Sequence, residues 1–432
     1  MKKHLLAEKI FRAALQAVDP ARLVRNEAPR IVATLGHGHF RHLLLVGCGK
    51  AGAVMASALE AILPGRIDDG IVITKYGHAT GHPCHRCRVF EAGHPLPDVA
   101  GETATTTALQ LVDAADAATL VVVLLSGGGS ALLVAPAPGI TLEQKQLTTN
   151  LLLRAGADIY ELNTVRKHLS AVKGGQLARR AWPATVLTLI LSDVIGDPLD
   201  VIASGPTAAD PSTFAEALAV LARYDLLARV PQEIVAHLRH GIAGDVAETP
   251  KPGDPVLART DNRIVGNSRL ALEAAAAEAR RCRYDVEILT DALRGEARQA
   301  AHWLAEQARV ASRGKKLCLL AGGETTVTVT GNGLGGRNQE LALAFALEIA
   351  GEAGLSLLSA GTDGTDGPTD AAGAFVDGDA VPAARRDGII AEDFLADNDA
   401  YHFFARAGGL LRTGPTGTNV MDLQILLIEA PI

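Results

Sequence analysis

At 432 residues the chain is long enough for two domains, each with a sizeable core. It is 48% apolar but only 4% aromatic, an Ala/Leu/Val composition that suits α/β layers better than an aromatic-rich sandwich. A formal charge of −7 without a long basic stripe argues against a nucleic-acid partner, so an anionic ligand would need a local cluster of cations.

Residues 1–18 scatter Lys2, Lys3, Glu8, Lys9 and Arg12 among apolar positions. That pattern predicts an amphipathic helix and lacks the uncharged central run of a signal peptide. The uncharged run from Ala117 to Thr141 is cut by Gly127-Gly128-Gly129-Ser130 and is too short on either side to span a bilayer. Five cysteines, an odd number, suggest reduced thiols. The chain therefore reads as cytoplasmic, with no membrane partner.

Short apolar runs predict strands at Leu43–Val46, Ile71–Thr74, Thr119–Leu125 and Thr185–Leu191, with helices at Lys50–Ile62, Thr103–Ala115 and Leu142–Leu153 between them. This alternation predicts a parallel sheet covered on both faces. The Gly/Pro/Glu/Lys stretch Ile242–Asp254 reads as a linker, dividing the chain into domains 1–243 and 255–432. Beyond it the pattern restarts: strand Ile264–Gly266, helix Ser268–Arg281, strand Val286–Leu289, helix Glu296–Ser312, strand Leu317–Leu320, and a helix over Gln339–Ala350.

Four motifs carry chemistry. In Leu43-Leu-Leu-Val-Gly47-Cys-Gly49-Lys50-Ala-Gly52, glycines 47, 49 and 52 have dinucleotide-binding spacing between a strand and a helix. The acidic residue that would hold a ribose is missing, because the next strand ends Ile73-Thr74-Lys75. A lysine at a helix start is disfavoured by the helix dipole, so Lys50 needs an anion to justify its position. Ser126-Gly127-Gly128-Gly129-Ser130 again follows a strand and offers backbone donors with two hydroxyls, without the lysine of a P-loop. In Asn163-Thr-Val-Arg166-Lys167-His168-Leu-Ser170-Ala-Val-Lys173-Gly174-Gly175, helical spacing would put Arg166 and Lys173 on one face, for substrate binding or for solvent.

The fourth is Ala321-Gly322-Gly323-Glu324 through Gly335-Gly336-Arg337-Asn338-Gln339-Glu340: paired glycines, a carboxylate and an arginine, a combination that core packing does not ask for. Asp193, Glu324 and Asp363 each follow a predicted strand, where oxygen ligands could hold a Mg²⁺ ion. Asp366 is as well explained by turn chemistry. Thr416 and Asn419 lie in one more small, hydroxyl-rich loop. Cys84-His85-Arg86-Cys87 lacks a second ligand pair, and no metal is assigned there.

Taken in order, these motifs, with Ala203-Ser-Gly-Pro-Thr207 and Thr413–Asn419, resemble the two-domain glycerate kinases that contain a MOFRL domain, some of which carry a hydroxypyruvate reductase label. The resemblance runs from near residue 40 to near residue 420. It implies a Rossmann-like N-terminal domain, a smaller α/β C-terminal domain and an active site in the cleft between them. It also implies ATP-dependent, Mg²⁺-assisted phosphorylation of D-glycerate on its 2-hydroxyl; residue chemistry alone does not choose C2 over C3. Lys50 and Arg337 are the catalytic residues the resemblance implies. Asp193 joins them as a candidate, and the general base stays open among Asp193, Glu324 and Asp363. Gly47, Gly49, Ser126 to Ser130, Arg166, Lys173, Gly322, Gly323, Thr416 and Asn419 are the expected binding residues. The oligomeric state is open, a homodimer included. Two rivals are an NAD(P)H-dependent hydroxypyruvate reductase, opposed by the absent ribose acid, and a non-enzymatic sugar-acid sensor.

Overall fold

The computed structural model describes residues 3–37, 40–311 and 316–429. The chain forms two compact units, one of Pro20–Val265 and one of the residues up to Asp19 together with those from Gly266 onward.

The first unit is built on six strands: β1 (His42–Cys48), β2 (Asp69–Lys75), β3 (Cys87–Ala92), β4 (Thr119–Leu125), β5 (Thr185–Leu191) and β6 (Thr260–Gly266), in the order β3-β2-β1-β4-β5-β6. The ladders joining β3, β2, β1, β4 and β5 are all parallel. All seven residues of β4 are buried, as a continuous Val/Leu run in the middle of a doubly covered sheet must be. Leu44, Val46, Val121 and Val123 enter the core on one face with Ala104, Ala108 and Leu177 from the flanking helices. Four further helices (Leu142–Arg154, Ile159–His168, Phe214–Arg223, Gln232–Ala243) pack a satellite core around Leu152, Leu162, Phe214 and Leu238. Strand order reverses between β1 and β4, and at such a reversal the loops after the two strands part to leave a crevice at their C-terminal ends.

The second unit holds β7 (Asp285–Glu296), β8 (Leu317–Thr326), β9 (Leu355–Gly361), β10 (Gly373–Asp377), β11 (Leu410–Leu411) and β12 (Asp422–Ile428), in the order β11-β10-β9-β12-β8-β7. Here the sheet is mixed. Only β7 and β8 pair in parallel, while β8, β12, β9, β10 and β11 pair antiparallel. The chain returns through β10 to β12 by loops and short helices instead of one crossover helix per strand, and antiparallel pairing permits that.

The two compact units divide at Asp19/Pro20 and at Val265/Gly266. Helix Lys3–Ala17 lays Leu6, Ile10, Phe11 and Ala14 inward and pairs Lys9 with Glu278 at 2.6 Å, so it belongs with the second unit. β6, placed beyond the linker by sequence, closes the edge of the first sheet. Helix Glu296–Ser312 is found as Ala297–Ala311, Ser312 lying outside the described residues. No helix among the described residues is long and apolar enough to cross a membrane.

Candidate active site

Two glycine turns meet at the reversal of strand order in the first unit. After β1, Gly49 adopts φ +119, and a Cβ there would fall well inside contact distance of the Ser126 carbonyl and hydroxyl. This close approach is why glycine is needed. The turn's donors are consumed by the protein: Gly49 N–H by Ile73 O (3.1 Å), Lys50 N–H by Gly127 O (2.9 Å), Gly52 N–H by Gly49 O (3.0 Å) and Ala51 N–H by Ser126 Oγ (3.0 Å). Gly47 stands inside β1, packed on Val72. The turn after β1 is therefore closed, contrary to the anion cradle its spacing predicts, and its contribution is Lys50. Ser126, expected to bind ligand, is buried and serves to lock the two turns together.

The turn after β4 is the open one. Among the described residues, the N–H groups of Gly127, Gly128 and Ser130 donate to no acceptor in the protein. Gly128 has φ +86, which turns successive N–H groups to one side as in an anion nest. Gly129 packs against Ala203. The Lys50 side chain runs beside Gly128, with Cγ 3.6 Å from where a Cβ would stand, and the His94 ring lies on the same spot. Burial, followed by the charges of Lys50, Lys75 and His78, pushes the His94 pKa down to about 4, so its imidazole is neutral at pH 7. Sequence reasoning missed His94, which follows β3 and stands in no motif.

Ser130 Oγ meets Ser204 Oγ at 2.9 Å, and Ser204 donates to Asn163 Oδ1 at 3.0 Å. Ala203 (φ 51), Ser204 (φ 59) and Gly205 (φ 61) form a left-handed run in which two residues are not glycine. Backbone strain of this kind persists where the surroundings over-determine it, often at functional sites. Asp193 is two residues beyond β5, beside β4.

The shared helical face of Arg166 and Lys173 does not exist, because the helix ends at His168 and Lys173 lies in the following turn. Lys173 is 1% exposed and donates to Ser130 O (2.8 Å) and Leu133 O (3.2 Å), propping the turn after β4 from beneath. Burial, then the charge of Arg166, pushes its pKa down to about 7. Lys167 is buried against Asp210 (2.7 Å) and Asp200 (3.2 Å). The loop over residues 82–87 is pinned by Glu60, whose carboxylate accepts the N–H groups of His85, Arg86 and Cys87.

In the second unit Arg337 opens helix Arg337–Glu348. Its fork takes Asp422 by two bonds (Nε–Oδ2 2.6 Å, Nη2–Oδ1 2.9 Å) and Glu324 through Nη1 at 2.8 Å. Asp422, 1% exposed, is the first residue of β12, set between Gly323 of β8 and Gly361 of β9. Asp366 is buried and accepts from Asn338 N–H (3.0 Å) and Gln339 N–H (2.8 Å), capping the helix. A cation at this helix start is thus offset by the protein's own carboxylates. Burial acts to lower the pKa of Arg337, but the bond to Asp422 and the charges of Asp422, Glu324 and Asp366 outweigh it, so the guanidinium stays charged. Asp422 had no sequence signal beyond standing at a strand start.

Gly322 and Gly323 are not loop donors. Both lie inside β8, where Gly322 faces Ser268 and Gly323, with φ +151, admits the backbone of Leu293 at a β7 irregularity. Thr416 donates to Thr362 O (2.6 Å), and Asn419 Oδ1 accepts from Met421 N–H (3.2 Å), so both side chains help hold their loop. Asp363 Oδ1 accepts from the N–H and hydroxyl of Thr365, each at 3.1 Å. Among the described residues no group of three or more His, Cys, Asp or Glu side chains could hold a metal ion. Of the expected ligands, Asp193 belongs to the first unit and Glu324 and Asp363 to the second, where Glu324 is paired with Arg337.

Residues 6–239 match the family described as a domain of unknown function, DUF4147, and residues 317–422 match the MOFRL family. The chain is 43% identical to the D-glycerate 2-kinase of Thermotoga maritima over 428 residues, 98% of each chain. It is 42% identical to a protein of Agrobacterium vitis named as a hydroxypyruvate reductase, over 97% of this chain and 93% of the relative. The crystal structure of a glycerate kinase from Thermotoga maritima superposes with a TM-score of 0.90 at 42% identity, covering 98% of this chain and 99% of that one. The chain belongs to the glycerate 2-kinase family of two-domain proteins with a MOFRL domain.

Proposed function

We propose that the protein is an ATP-dependent kinase that phosphorylates D-glycerate on the 2-hydroxyl, giving 2-phosphoglycerate and ADP. The observation that carries this reading is the full-length likeness to a protein named D-glycerate 2-kinase. The geometry agrees: an open nest of backbone donors stands at the reversal of strand order with a lysine beside it, and β2 ends at Lys75 without the carboxylate that a nicotinamide cofactor's ribose needs.

Phosphoryl transfer asks the protein chiefly to position reactants and neutralise charge. In our reading the N–H groups of Gly127, Gly128 and Ser130 hold phosphate oxygens, and Lys50 meets the charge that spreads over the transferring group. The 2-hydroxyl oxygen bonds to the γ-phosphorus as the bond to the bridging oxygen breaks and ADP leaves. Asp193, two residues beyond β5, the strand that neighbours β4, is our choice to receive the hydroxyl proton. Arg337, aimed by Asp422, is the fixed positive charge that the second unit offers an anion. Asp193 or Asp363 would supply the one or two protein carboxylates that a nucleotide-bound Mg²⁺ ion needs, and the ion's charge would help neutralise the phosphates. The odd cysteine count and relatives of this kind favour a cytoplasmic setting.

Phosphorus NMR of the product made from D-glycerate and Mg-ATP tests the reading. A 2-phosphoglycerate resonance is expected, and a 3-phosphoglycerate resonance refutes the regiochemistry. Oxidation of NADH or NADPH by hydroxypyruvate, without ATP turnover, would instead establish the reductase.

A further inference from the structure

Arg166 is a cation of the first unit that the site described above does not use. It lies on helix Ile159–His168, three residues after Asn163 and so on the same face as the amide that holds Ser204 and, through it, Ser130. Among the described residues its side chain has no hydrogen-bond or ion-pair partner, although burial acts to lower its pKa. The neighbouring cations are all provided for. Lys167 has Asp210 and Asp200; Lys145 donates to Arg166 O (3.2 Å) and Leu169 O (2.8 Å); Lys173 donates to Ser130 O and Leu133 O.

Carbonyls satisfy the hydrogen bonds of Lys145 and Lys173 but do not cancel their charge. Lys145 is 5% exposed, and burial followed by the charges of Lys173 and Arg166 lowers its pKa well below the usual lysine range. These three cations stand within Coulomb reach of one another with no carboxylate among them. A lysine in that setting can shed its proton, whereas a guanidinium cannot. Arg166 is therefore a permanent positive charge on the Asn163 face of its helix, and among the described residues no carboxylate pairs with it.

Given the kinase reading, on which the inference rests, two anions compete. ATP brings tetrahedral phosphates, for which the backbone nest after β4 is already provided. The hydroxy acid brings one planar carboxylate, the shape that an arginine fork grips with two parallel bonds. We propose that Arg166 is the clamp for the substrate carboxylate, so that it sets specificity for 2-hydroxy acids over neutral polyols.

The test uses the full chain with Arg166→Gln and Arg166→Lys, each first shown to fold by its melting transition. Arg166→Gln is expected to raise the KM for D-glycerate about a hundredfold, the scale of a charge-assisted bidentate contact, with KM for ATP and kcat at saturating glycerate nearly unchanged. Arg166→Lys keeps the charge but loses the fork and should raise it about tenfold; if Arg166→Gln fails to fold, this variant decides. Unchanged KM for glycerate in a folded variant overturns the clamp, and so does a rise confined to the KM for ATP. Calorimetry with D-lactate and no nucleotide reads carboxylate binding without any chemistry, and binding lost in the variants supports the clamp. A wild-type protein that does not phosphorylate D-glycerate, yet binds D-lactate through Arg166, would sink the kinase reading and leave the clamp standing.

Discussion

Replacing Asp422 by Asn removes one charge and leaves the shape of the second unit's site intact. The carboxylate is 1% exposed and takes two bonds from Arg337, at 2.6 and 2.9 Å. Stripping one partner from a buried pair costs about 3–5 kcal/mol, because the other charge is left uncompensated. Here the Arg337 side chain is 34% exposed and keeps Glu324 at 2.8 Å, so water and the second carboxylate screen the loss. We expect about 2 kcal/mol after that discount, or about 4–8 °C in Tm for a unit of this size. The functional loss should be larger than the stability loss. With one bond to Asn in place of the fork, Arg337 is no longer aimed, and kcat should fall at least about thirtyfold while KM for ATP holds. Thermal melts and steady-state kinetics on the same preparation decide it. A variant that melts within a degree of wild type and keeps its kcat would refute the claim that Asp422 positions Arg337.

Lys50→Ala should cut kcat at least about a hundredfold with little change in Tm, as expected of a charge felt mainly in the transition state; activity within a few-fold of wild type would mean Lys50 is outside the chemistry. Gly49→Ala drives a Cβ into Ser126 at φ +119 and should cost about 2–4 kcal/mol in urea unfolding; an unchanged midpoint would mean the two turns are not locked as described. Glu248 is an acid-sensitive group of the first unit. Burial acts to raise its pKa, but His168 and the N–H groups of Phe214 and Thr249 outweigh burial and hold it at about 2, against an ordinary 4.5. A depressed carboxylate adds stability above its unfolded pKa that is lost as pH falls from about 4.5 towards 2. With the side chain about a third exposed, that loss should be about 1–2 kcal/mol. Glu248→Gln should flatten this part of the stability curve measured by urea unfolding, and an unaltered acid limb would remove Glu248 from the account.

Local periodicity made the elements legible. Strands β4 and β5 and helix Ser268–Arg281 fall where the apolar patterns place them, because each depends on neighbours a few residues away. The glycine turns were legible for the same reason, as were Lys50 and Arg337 as cations at helix starts. Their partners were not. Asp422 reaches Arg337 across 85 residues, and Ser204 reaches Asn163 across 41. Such pairs are fixed by which strands lie side by side, and single-sequence pattern does not encode that.

The same limit explains the errors. Gly322 and Gly323 carry the composition of a ligand loop, but the closeness of Leu293 and Ser268 makes them packing glycines. Lys173 looks like a surface cation until the helix is seen to end at His168 and its amine to meet carbonyls beneath Ser130. The spacing 47/49/52 promised a phosphate cradle after β1, but Ser126 and Gly127 are drawn onto the first turn's N–H groups, and the N–H groups left without a protein acceptor are those of the turn after β4. Residue type and local spacing determined which groups could handle an anion. The tertiary fold decided which of them still have a donor to offer, because a hydrogen bond made inside the protein is one the ligand cannot use.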